Sequence, residues 1–366
     1  MNPQGTTEVH LLGFGEPEAR SLDGTLEYLE RIFLANANLD GDLDPAAVRS
    51  RCRELAARRA PSLLADYGRI GGSPLLEQCR RQAAELSAEL GRRGEPMQVR
   101  IGMQFTEPTI EDIGAEAVAA GARRIVGLPL YPLCGASTTL AALDQLRDAL
   151  ERAAAAAESE APELVQLTGW HRHPSFIDAV AWSIGQAVAD AGASLDDGGT
   201  RLYFSAHGTP VKYLVDGPPY DRYVADLCGF VAARLGVTDY DIGYQNHSNR
   251  GIEWTAPSND DLVPTLEAER LIVVPISFIH EQSETLVELD GDYAELASSH
   301  GMSVVRVPVP WAAAGLHVAL ADLVQSVTSA GTSGASLRPC RCRSSDNAWC
   351  LTGDLQLKAP PTESRP

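Results

Sequence analysis

The sequence predicts two doubly wound α/β domains with parallel sheets, followed by a short cysteine-bearing C-terminal tail. Short β-branched or aliphatic runs alternate with long stretches rich in Ala, Leu, Glu and Arg. This strand-then-helix order is typical of parallel sheets. A break near 158–174 separates four such runs from four more, and 366 residues at about 150 per domain fit two domains and a remainder.

The first four predicted strands are apolar over most of their length, as expected of strands that are buried on both faces of a sheet. They lie at 9–15, 97–103, 123–130 and 164–169. Helix-like segments at 73–93 and 138–156 alternate with them, so we expect an N-terminal domain over residues 1–165.

The second four predicted strands repeat the pattern. They lie at 201–206, 240–245, 270–277 and 303–308. We therefore expect a C-terminal domain over residues 166–328. Residues 326–346 are rich in Ser and Gly and leave the periodic pattern, which predicts a linker and a cysteine tail over residues 329–366.

The composition narrows the class of partner. The chain carries 30 Lys and Arg against 49 Asp and Glu, a formal net charge of −19. This argues against nucleic acid and against an anionic membrane surface, since both need a basic face, and it favours a cation. The N-terminus lacks the pattern of a secretory signal, and no run of apolar residues is long enough to span a bilayer. Seven cysteines are not a secreted disulfide framework, so we expect a cytoplasmic protein.

One histidine stands where a ligand is expected. Open α/β sheets bind ligands outside the carboxyl ends of their strands. The run at 201–206 leads directly into His207, which Gly208, Thr209 and Pro210 follow. A His at a strand end is a candidate base, because its pKa is near neutrality. A hydrogen-bonded structural His explains the position equally well, so both interpretations stay open.

A group of carboxylates follows the seventh predicted strand. It consists of Glu281, Glu284, Glu288 and Asp292, with His280 nearby. On a helix the last three carboxylates are spaced i, i+4, i+8 and share a face, where like charges repel. Affinity for a hard cation would explain them. Taken alone, they are better explained as a solvated acidic face near a helix N-terminus.

Several motifs in a fixed order carry a resemblance. The two most distinctive are FSAHGTP at 204–210 and PISFIHEQSETLVELD at 275–290. Further motifs lie in order at 11–18, 69–76, 101–113, 128–139, 169–178, 217–224 and 253–262. The set resembles the ferrochelatase family over about residues 8–328. The resemblance implies a chelatase-like fold of two Rossmann-like domains with a porphyrin cleft between them. It also implies a lyase of haem biosynthesis that inserts its substrate Fe2+ into a porphyrin.

The resemblance also implies roles for individual residues. His207 would face the macrocycle and take the pyrrole protons, and Glu284 would be its catalytic partner across the cleft. The implied metal set is His207, Glu284, Glu288, Asp292 and Glu281. The implied porphyrin-binding set is Phe14, Ser73, Tyr131, Trp254 and Phe278. An apolar slot can bend the ring to expose its nitrogens, and carboxylates with one His hold Fe2+ loosely enough to release it.

The chain departs from the family pattern at several positions. Gln282 stands where many relatives have a His, and Pro218 replaces an Asp. Gln104 and Phe105 replace an Arg-Tyr pair that is common in protoporphyrin-using members. These changes bear on the proton route and on the propionate contacts. Protoporphyrin IX is the expected substrate, and coproporphyrin III stays open. Cobalt insertion into a corrin precursor and a non-catalytic porphyrin or haem carrier are the other classes left open.

The cysteines of the tail form a second candidate metal site. Some members of the family carry a [2Fe–2S] cluster on a C-terminal extension. Cys340, Cys342 and Cys350 offer three thiolates within eleven residues, and such clusters usually need four. Cys134 is the candidate fourth ligand, although it lies two residues before the position that some relatives use. Zinc, or a tail without metal, is the alternative.

Two properties stay open at the sequence level. The protein is either a monomer or a homodimer. The apolar residues around 27–39 allow peripheral membrane contact, but a helix that faces the core explains them equally well.

Overall fold

The first half of the chain forms four parallel strands with helices between them, as predicted. The computed structural model describes residues 6–17, 21–40, 44–215, 217–247, 251–329, 336–343, 345 and 347–353. The strands are β1 (Thr7–Gly13), β2 (Gln98–Met103), β3 (Arg124–Pro129) and β4 (Glu163–Leu167). The helices are α1 (Leu22–Ala35), α2 (Pro45–Ile70), α3 (Leu75–Arg92), α4 (Ile110–Ala119) and α5 (Ala141–Ala156), with short 3₁₀ and π turns at Ala37–Asp40 and Ala136–Leu140. These strands pair in the order β2-β1-β3-β4.

The second half repeats this architecture. Its strands are β5 (Thr200–His207), β6 (Tyr240–Gln245), β7 (Arg270–Pro275) and β8 (Ser303–Arg306), paired in parallel in the order β6-β5-β7-β8. Its helices are α6 (Pro174–Asp190), α7 (Val211–Val215), α8 (Tyr220–Leu235), α9 (Asn259–Leu262), α10 (Tyr293–Ser299) and α11 (Ala314–Thr328). A 3₁₀ turn at Val263–Thr265 and a π-helix at Glu284–Asp292 complete it. The predicted α/β class with parallel sheets is confirmed.

The described part of the tail extends the first sheet. Two short strands, β9 (Arg338–Pro339) and β10 (Ala348–Cys350), follow α11. β10 pairs in parallel with β4, with Ala348 opposite Gln166, and β9 pairs antiparallel with β10. The sequence predicted only a linker and tail here, because neither strand has an apolar run of its own. Residues 330–335, 344, 346 and 354–366 of the predicted tail lie outside the described residues.

The division into domains stays a prediction. β4 runs from Glu163 to Leu167, so it crosses the predicted boundary between residues 165 and 166. The stretch between β4 and α6, which begins at Pro174, is a better place for that boundary.

One apolar core runs through both halves. A single cluster of contacting side chains includes Val9 and Val126 from the first sheet and Phe204 and Ile272 from the second, all fully buried. α11 packs against α3 of the first half as well as α6 of the second. This packing fixes the strand ends of the two halves relative to each other.

The ends of α2 place the loops that enter the site. Asp44 caps its N-terminus by accepting hydrogen bonds from Ala46 N at 2.9 Å and Ala47 N at 3.1 Å, and Pro45 occupies the first turn. The helix ends at Gly71 with a φ of 79°, a left-handed conformation that favours glycine. The chain then turns through Ser73 into α3.

Candidate active site

Three neighbouring strands of the second sheet bring polar side chains to one edge. β5 ends at His207, β6 ends two residues before His247, and the chain after β7 leads to Glu284. Because these strands are parallel neighbours, their carboxyl ends meet. Ligand atoms of His207, His247 and Glu284 all lie within 4.8 Å of one another. Within the described ranges, no other three His, Cys, Asp or Glu side chains form such a group.

His207 presents its Nε2 nitrogen to this group. Its Nδ1 lies 2.6 Å from the carbonyl oxygen of Gly208, so Nδ1 carries the proton and donates it. Nε2 therefore keeps its lone pair. Burial lowers the pKa of His207, which favours the neutral ring, while the bond to Gly208 opposes that shift. A neutral imidazole with an exposed lone pair can accept a proton or bind a cation.

His247 is a residue that the sequence analysis missed. Its Nε2 lies 3.1 Å from Nε2 of His207. Burial, and then the neighbouring His207, lower the pKa of His247 to about 3. Gly208 follows His207, and Asn246 precedes His247. Because an added Cβ on Gly208 would lie 1.9 Å from Asn246 Oδ1, only glycine lets these two segments lie so close together. His247 follows the end of β6 as His207 follows β5, so the position of His247 after a strand is a signal that could have identified it.

The carboxylates of Glu284 and Glu288 lie on a π-helix. Gln282 Nε2 donates to Glu284 Oε2 at 2.7 Å, and Gln245 Nε2 donates to Glu288 Oε2 at 2.9 Å. Burial raises the pKa of Glu284. Burial and the charge of Glu284 raise the pKa of Glu288 to about 8. Both side chains line the cleft, so they can share a cation or a proton.

Two members of the predicted metal set lie outside the group formed by His207, His247 and Glu284. Glu281 is buried and forms an ion pair with Arg306 at 2.6 Å, and it also accepts hydrogen bonds from Thr285 Oγ1 and Val309 N. Its charge is therefore already compensated. Asp292 is exposed at the far end of the π-helix and is not part of the cleft lining.

An apolar cleft opens in front of these groups, with about 1780 Å³ of space including its mouth. Four of the five predicted porphyrin-binding side chains line it, namely Phe14, Tyr131, Trp254 and Phe278. The rings of Phe278 and His207 are 6.3 Å apart between centroids, and those of Trp254 and His247 are 5.6 Å apart. The histidines therefore lie against the aromatic wall, where a flat ligand would contact both.

Ser73, the fifth predicted porphyrin-binding residue, is not among the side chains that line the cleft. Its hydroxyl donates to the carboxylate of Glu16, a second residue that the sequence analysis missed. Glu16 is buried, and burial together with the charge of Glu284 raises its pKa to about 7. No local pattern marks Glu16, because its partners are distant in the sequence.

The positions that depart from the family pattern have partners of their own. Gln104 accepts a hydrogen bond from Tyr131 Oη at 2.9 Å. Gln282 contacts Glu284, as described above. His280 is buried against Cys79, with both ring nitrogens 3.8 Å from the sulfur, and burial lowers its pKa to about 3. His280 is not in the group formed by His207, His247 and Glu284.

Arg59 is the only cationic residue among the described side chains that line the cleft. It lies on α2, and its guanidinium is 3.3 Å from Asp66 and 2.7 Å from Ser62 Oγ. Its side chain is 40% exposed, so it remains accessible to an anionic group at the mouth of the cleft.

The four candidate cluster cysteines converge beside β4 and β10. Cys340 contacts both Cys342 and Cys350, and Cys342 also contacts Cys134. Thr168 Oγ1 donates to Cys340 Sγ at 3.1 Å, and Tyr223 Oη lies 3.1 Å from Cys342 Sγ. The pairing of β10 with β4 is what brings the tail cysteines to Cys134.

α1 packs its apolar face inward. Tyr28, Leu29 and Phe33 are buried, while Leu22 and Leu34 remain exposed. In the part of the chain that the structure describes, no helix has the length and apolar character needed to cross a bilayer. Peripheral membrane contact and the oligomeric state stay predictions.

The fold and the site together define a chelatase, an enzyme that places a metal ion in a flat macrocycle. A model of the ferrochelatase family matches residues 6–328. The chain is 32% identical to the ferrochelatase of Aquifex aeolicus (strain VF5) over 324 residues, which cover 87% of this chain and 98% of that protein. It is 36% identical to the ferrochelatase of Phenylobacterium zucineum (strain HLK1) over 272 residues, covering 72% and 74%. The chain therefore belongs to the ferrochelatase family.

Solved structures show a more distant likeness. SirB from Bacillus subtilis with Fe3+ has a TM-score of 0.48 at 13% identity, over 88% of this chain and 95% of that chain. CbiX, the terminal enzyme of sirohaem biosynthesis in denitrifying bacteria, has a TM-score of 0.45 at 17% identity, over 88% and 100%. Family membership confirms the predicted resemblance and the prediction of a metal-inserting lyase. The roles of single residues stay predictions.

Proposed function

We propose that this protein inserts Fe2+ into protoporphyrin IX to form haem. The observation that carries the proposal is the group of His207, His247 and Glu284 at the wall of an apolar cleft. Imidazole nitrogen and carboxylate oxygen bind Fe2+ more weakly than a set of thiolates does, so the ion can be transferred to the macrocycle. A protein that stored iron would not need an aromatic slot beside its ligands.

The proposed reaction uses the aromatic walls of the cleft to bind the ring and the polar side chains beside them to move protons and the metal ion. Binding of the ring between aromatic walls supplies energy that can distort it and expose the pyrrole nitrogens. Nε2 of His207, which lies 3.1 Å from Nε2 of His247, is the ring nitrogen that takes a pyrrole proton, since Nδ1 donates to the carbonyl oxygen of Gly208. Glu284 and His247 hold the incoming cation, and Glu288 on the next turn accepts a proton or the ion behind them.

The charge of the cleft favours a porphyrin with few carboxylates. Protoporphyrin IX carries two propionates, whereas coproporphyrin III carries four. Arg59 is the one cationic side chain in the described lining, and Asp66 already compensates part of its charge. Gln104, by contrast, replaces an Arg that is common in protoporphyrin-using relatives, and it accepts a hydrogen bond from Tyr131 Oη. Coproporphyrin III remains the second candidate substrate.

A metallation assay without oxygen tests the proposal. Purified protein with Fe2+ and protoporphyrin IX should form protohaem, and His207→Ala should reduce the rate by at least about 100-fold with an unchanged circular dichroism spectrum. Parallel reactions with coproporphyrin III, and with Co2+ and a corrin precursor, identify a different substrate. Tight porphyrin binding without metallation of any of these would overturn the proposal in favour of a carrier.

We further propose that Cys134, Cys340, Cys342 and Cys350 hold a [2Fe–2S] cluster. The donor set fits, because four thiols are joined by contacts and two hydroxyl groups lie 3.1 Å from their sulfurs. A single zinc ion would need its four sulfurs equally close, yet no three of them lie within 4.8 Å of one another. Such a cluster supplies one-electron chemistry or structural support. The thiols themselves orient it and join the tail to the first sheet.

The visible spectrum of the purified protein tests the cluster. Broad charge-transfer bands that are lost in Cys342→Ser support it, whereas a colourless protein with bound zinc overturns it. The seven cysteines are all free thiols in the structure. This is in accord with a reducing compartment, and we propose the cytoplasm.

A further inference from the structure

A buried carboxylate behind the metal-binding group has no role in the reaction described so far. Glu16 follows Gly15, where the chain leaves β1 with a φ of 87°. An added Cβ on Gly15 would lie 2.2 Å from Thr106 Oγ1, so only glycine allows this turn. Glu16 itself is 4% exposed. Burying a carboxylate is costly unless hydrogen bonds compensate it, so its partners are informative.

Those partners come from three separate parts of the fold. Tyr67 Oη, on α2, donates to Oε1 at 3.1 Å, and Ser73 Oγ, in the turn before α3, donates to Oε2. Ser283 donates twice, from its hydroxyl to Oε1 and from its backbone N–H to Oε2 at 3.2 Å. Ser283 belongs to the second half of the chain. Glu16 therefore connects the first half directly to the residue that precedes Glu284.

The connection acts on the orientation of Glu284. Ser283 Oγ also lies 3.4 Å from Glu284 Oε2, and Gln282 donates to the same oxygen at 2.7 Å. Fixing the Ser283 peptide fixes where the π-helix begins, and with it the direction of the Glu284 side chain. Glu16 is not part of the cleft lining, although Ser283 and Glu284 are. Its influence on the site therefore passes through Ser283.

We propose that Glu16 is a positioning residue that holds Glu284 in the geometry required to bind the incoming divalent cation. This proposal rests on the proposed metal-inserting function. It assigns the effect of Glu16 to the metal side of the reaction and not to the porphyrin side, because Glu16 has no access to the macrocycle.

The experiment compares Glu16→Ala and Glu16→Gln with a matched control. Glu95 also joins the two halves, since it accepts hydrogen bonds from Ser329 Oγ and from Thr328 Oγ1, but it lies outside the cleft lining. Glu95→Ala therefore measures the loss of a connection without a change at the metal. Co2+ titrated without porphyrin is the probe, read by its visible absorption bands. Porphyrin binding is read separately by fluorescence quenching.

We expect Glu16→Ala to weaken Co2+ binding about tenfold and to change the Co2+ bands, with porphyrin affinity altered less than about twofold. Glu16→Gln loses one acceptor but keeps the other, so we expect a weakening of about threefold. Glu95→Ala should leave both ligands unaffected. Glu16→Gln keeps the shape of the side chain and decides the question if Glu16→Ala does not fold.

Unchanged Co2+ affinity and bands in Glu16→Gln would overturn the proposal. Equal losses of Co2+ and porphyrin affinity would also overturn it, because they would indicate a general structural effect. The Co2+ measurement needs no turnover. If the unmodified protein metallates no porphyrin while the Glu16 variants still alter Co2+ binding, only the proposed function fails.

Discussion

Two imidazole side chains, those of His207 and His247, face each other at the wall of the cleft. Nε2 of His207 and Nε2 of His247 are 3.1 Å apart, and burial favours the neutral form of both rings. At this distance either the ring proton of a neutral imidazole or a cation lies between the two nitrogens. The two rings can therefore hold a proton or bind a cation between them, and Glu284 adds the negative charge that a divalent ion requires.

Replacing His247 should impair the metal side of the reaction. We expect His247→Ala to raise the KM for Fe2+ about tenfold or more, since one nitrogen ligand is lost, while the KM for porphyrin changes less. Initial rates at varied concentrations of each substrate measure this. His300→Ala is the control, because His300 is exposed at the end of α10. A wild-type KM for Fe2+ in His247→Ala would remove His247 from the ligand set.

The buried acids should make the stability of the metal-free protein depend on pH. The pKa of Glu288 is raised to about 8, so its stabilising contribution is present in acid and is lost as the pH rises through 8. We expect Glu288→Gln to be more stable than the parent protein at pH 8.5, by about 1–2 kcal/mol, and similar at pH 5. Urea unfolding at both pH values measures this. Equal stabilities at pH 8.5 would show that Glu288 titrates normally.

Among the secondary-structure elements, the strands could be predicted from the sequence. The π-helical form of the segment that carries Glu284 could not. Eight apolar runs became strands because buried parallel strands need little more than continuous apolar residues. The segment after β7 was considered only as a possible helix with its carboxylates on one face, and it forms a π-helix from Glu284 to Asp292. Gln245 Nε2 donates to the carbonyl oxygen of Glu284, and Ser283, which precedes the π-helix, donates to Glu16. A local sequence pattern contains neither contact. π-Helical turns are frequent at functional sites.

The tail should contribute to folding independently of any cluster. β10 covers the edge of β4, and an uncovered parallel edge strand invites aggregation. We expect a chain that ends at residue 329 to unfold at lower temperature and to aggregate. Cys342→Ser keeps both tail strands and is the matched control. If thermal unfolding and light scattering show the same loss in both proteins, the stabilisation comes from the cysteines and not from the strand.

At the scale of the whole molecule, the sequence predicted neighbours within an element better than contacts across the fold. His207 was found because it directly follows a strand. Glu16 could not be found, because Ser283, which it contacts, is 267 residues away. Cys134 was proposed from a resemblance, and its nearness to Cys342 depends on a strand pairing that no periodicity indicates.

The net charge of −19 should act in opposite directions on the two substrates. A negative field repels the propionates of a porphyrin and attracts Fe2+, and salt screens both effects. We therefore expect the KM for porphyrin to fall and the KM for Fe2+ to rise, each about two- to fivefold, between about 10 and 200 mM NaCl. Sucrose of equal osmolality should change neither. If both KM values shift in the same direction, the net charge of the chain does not control them. The affinities would then depend on the apolar walls and on the group of His207, His247 and Glu284.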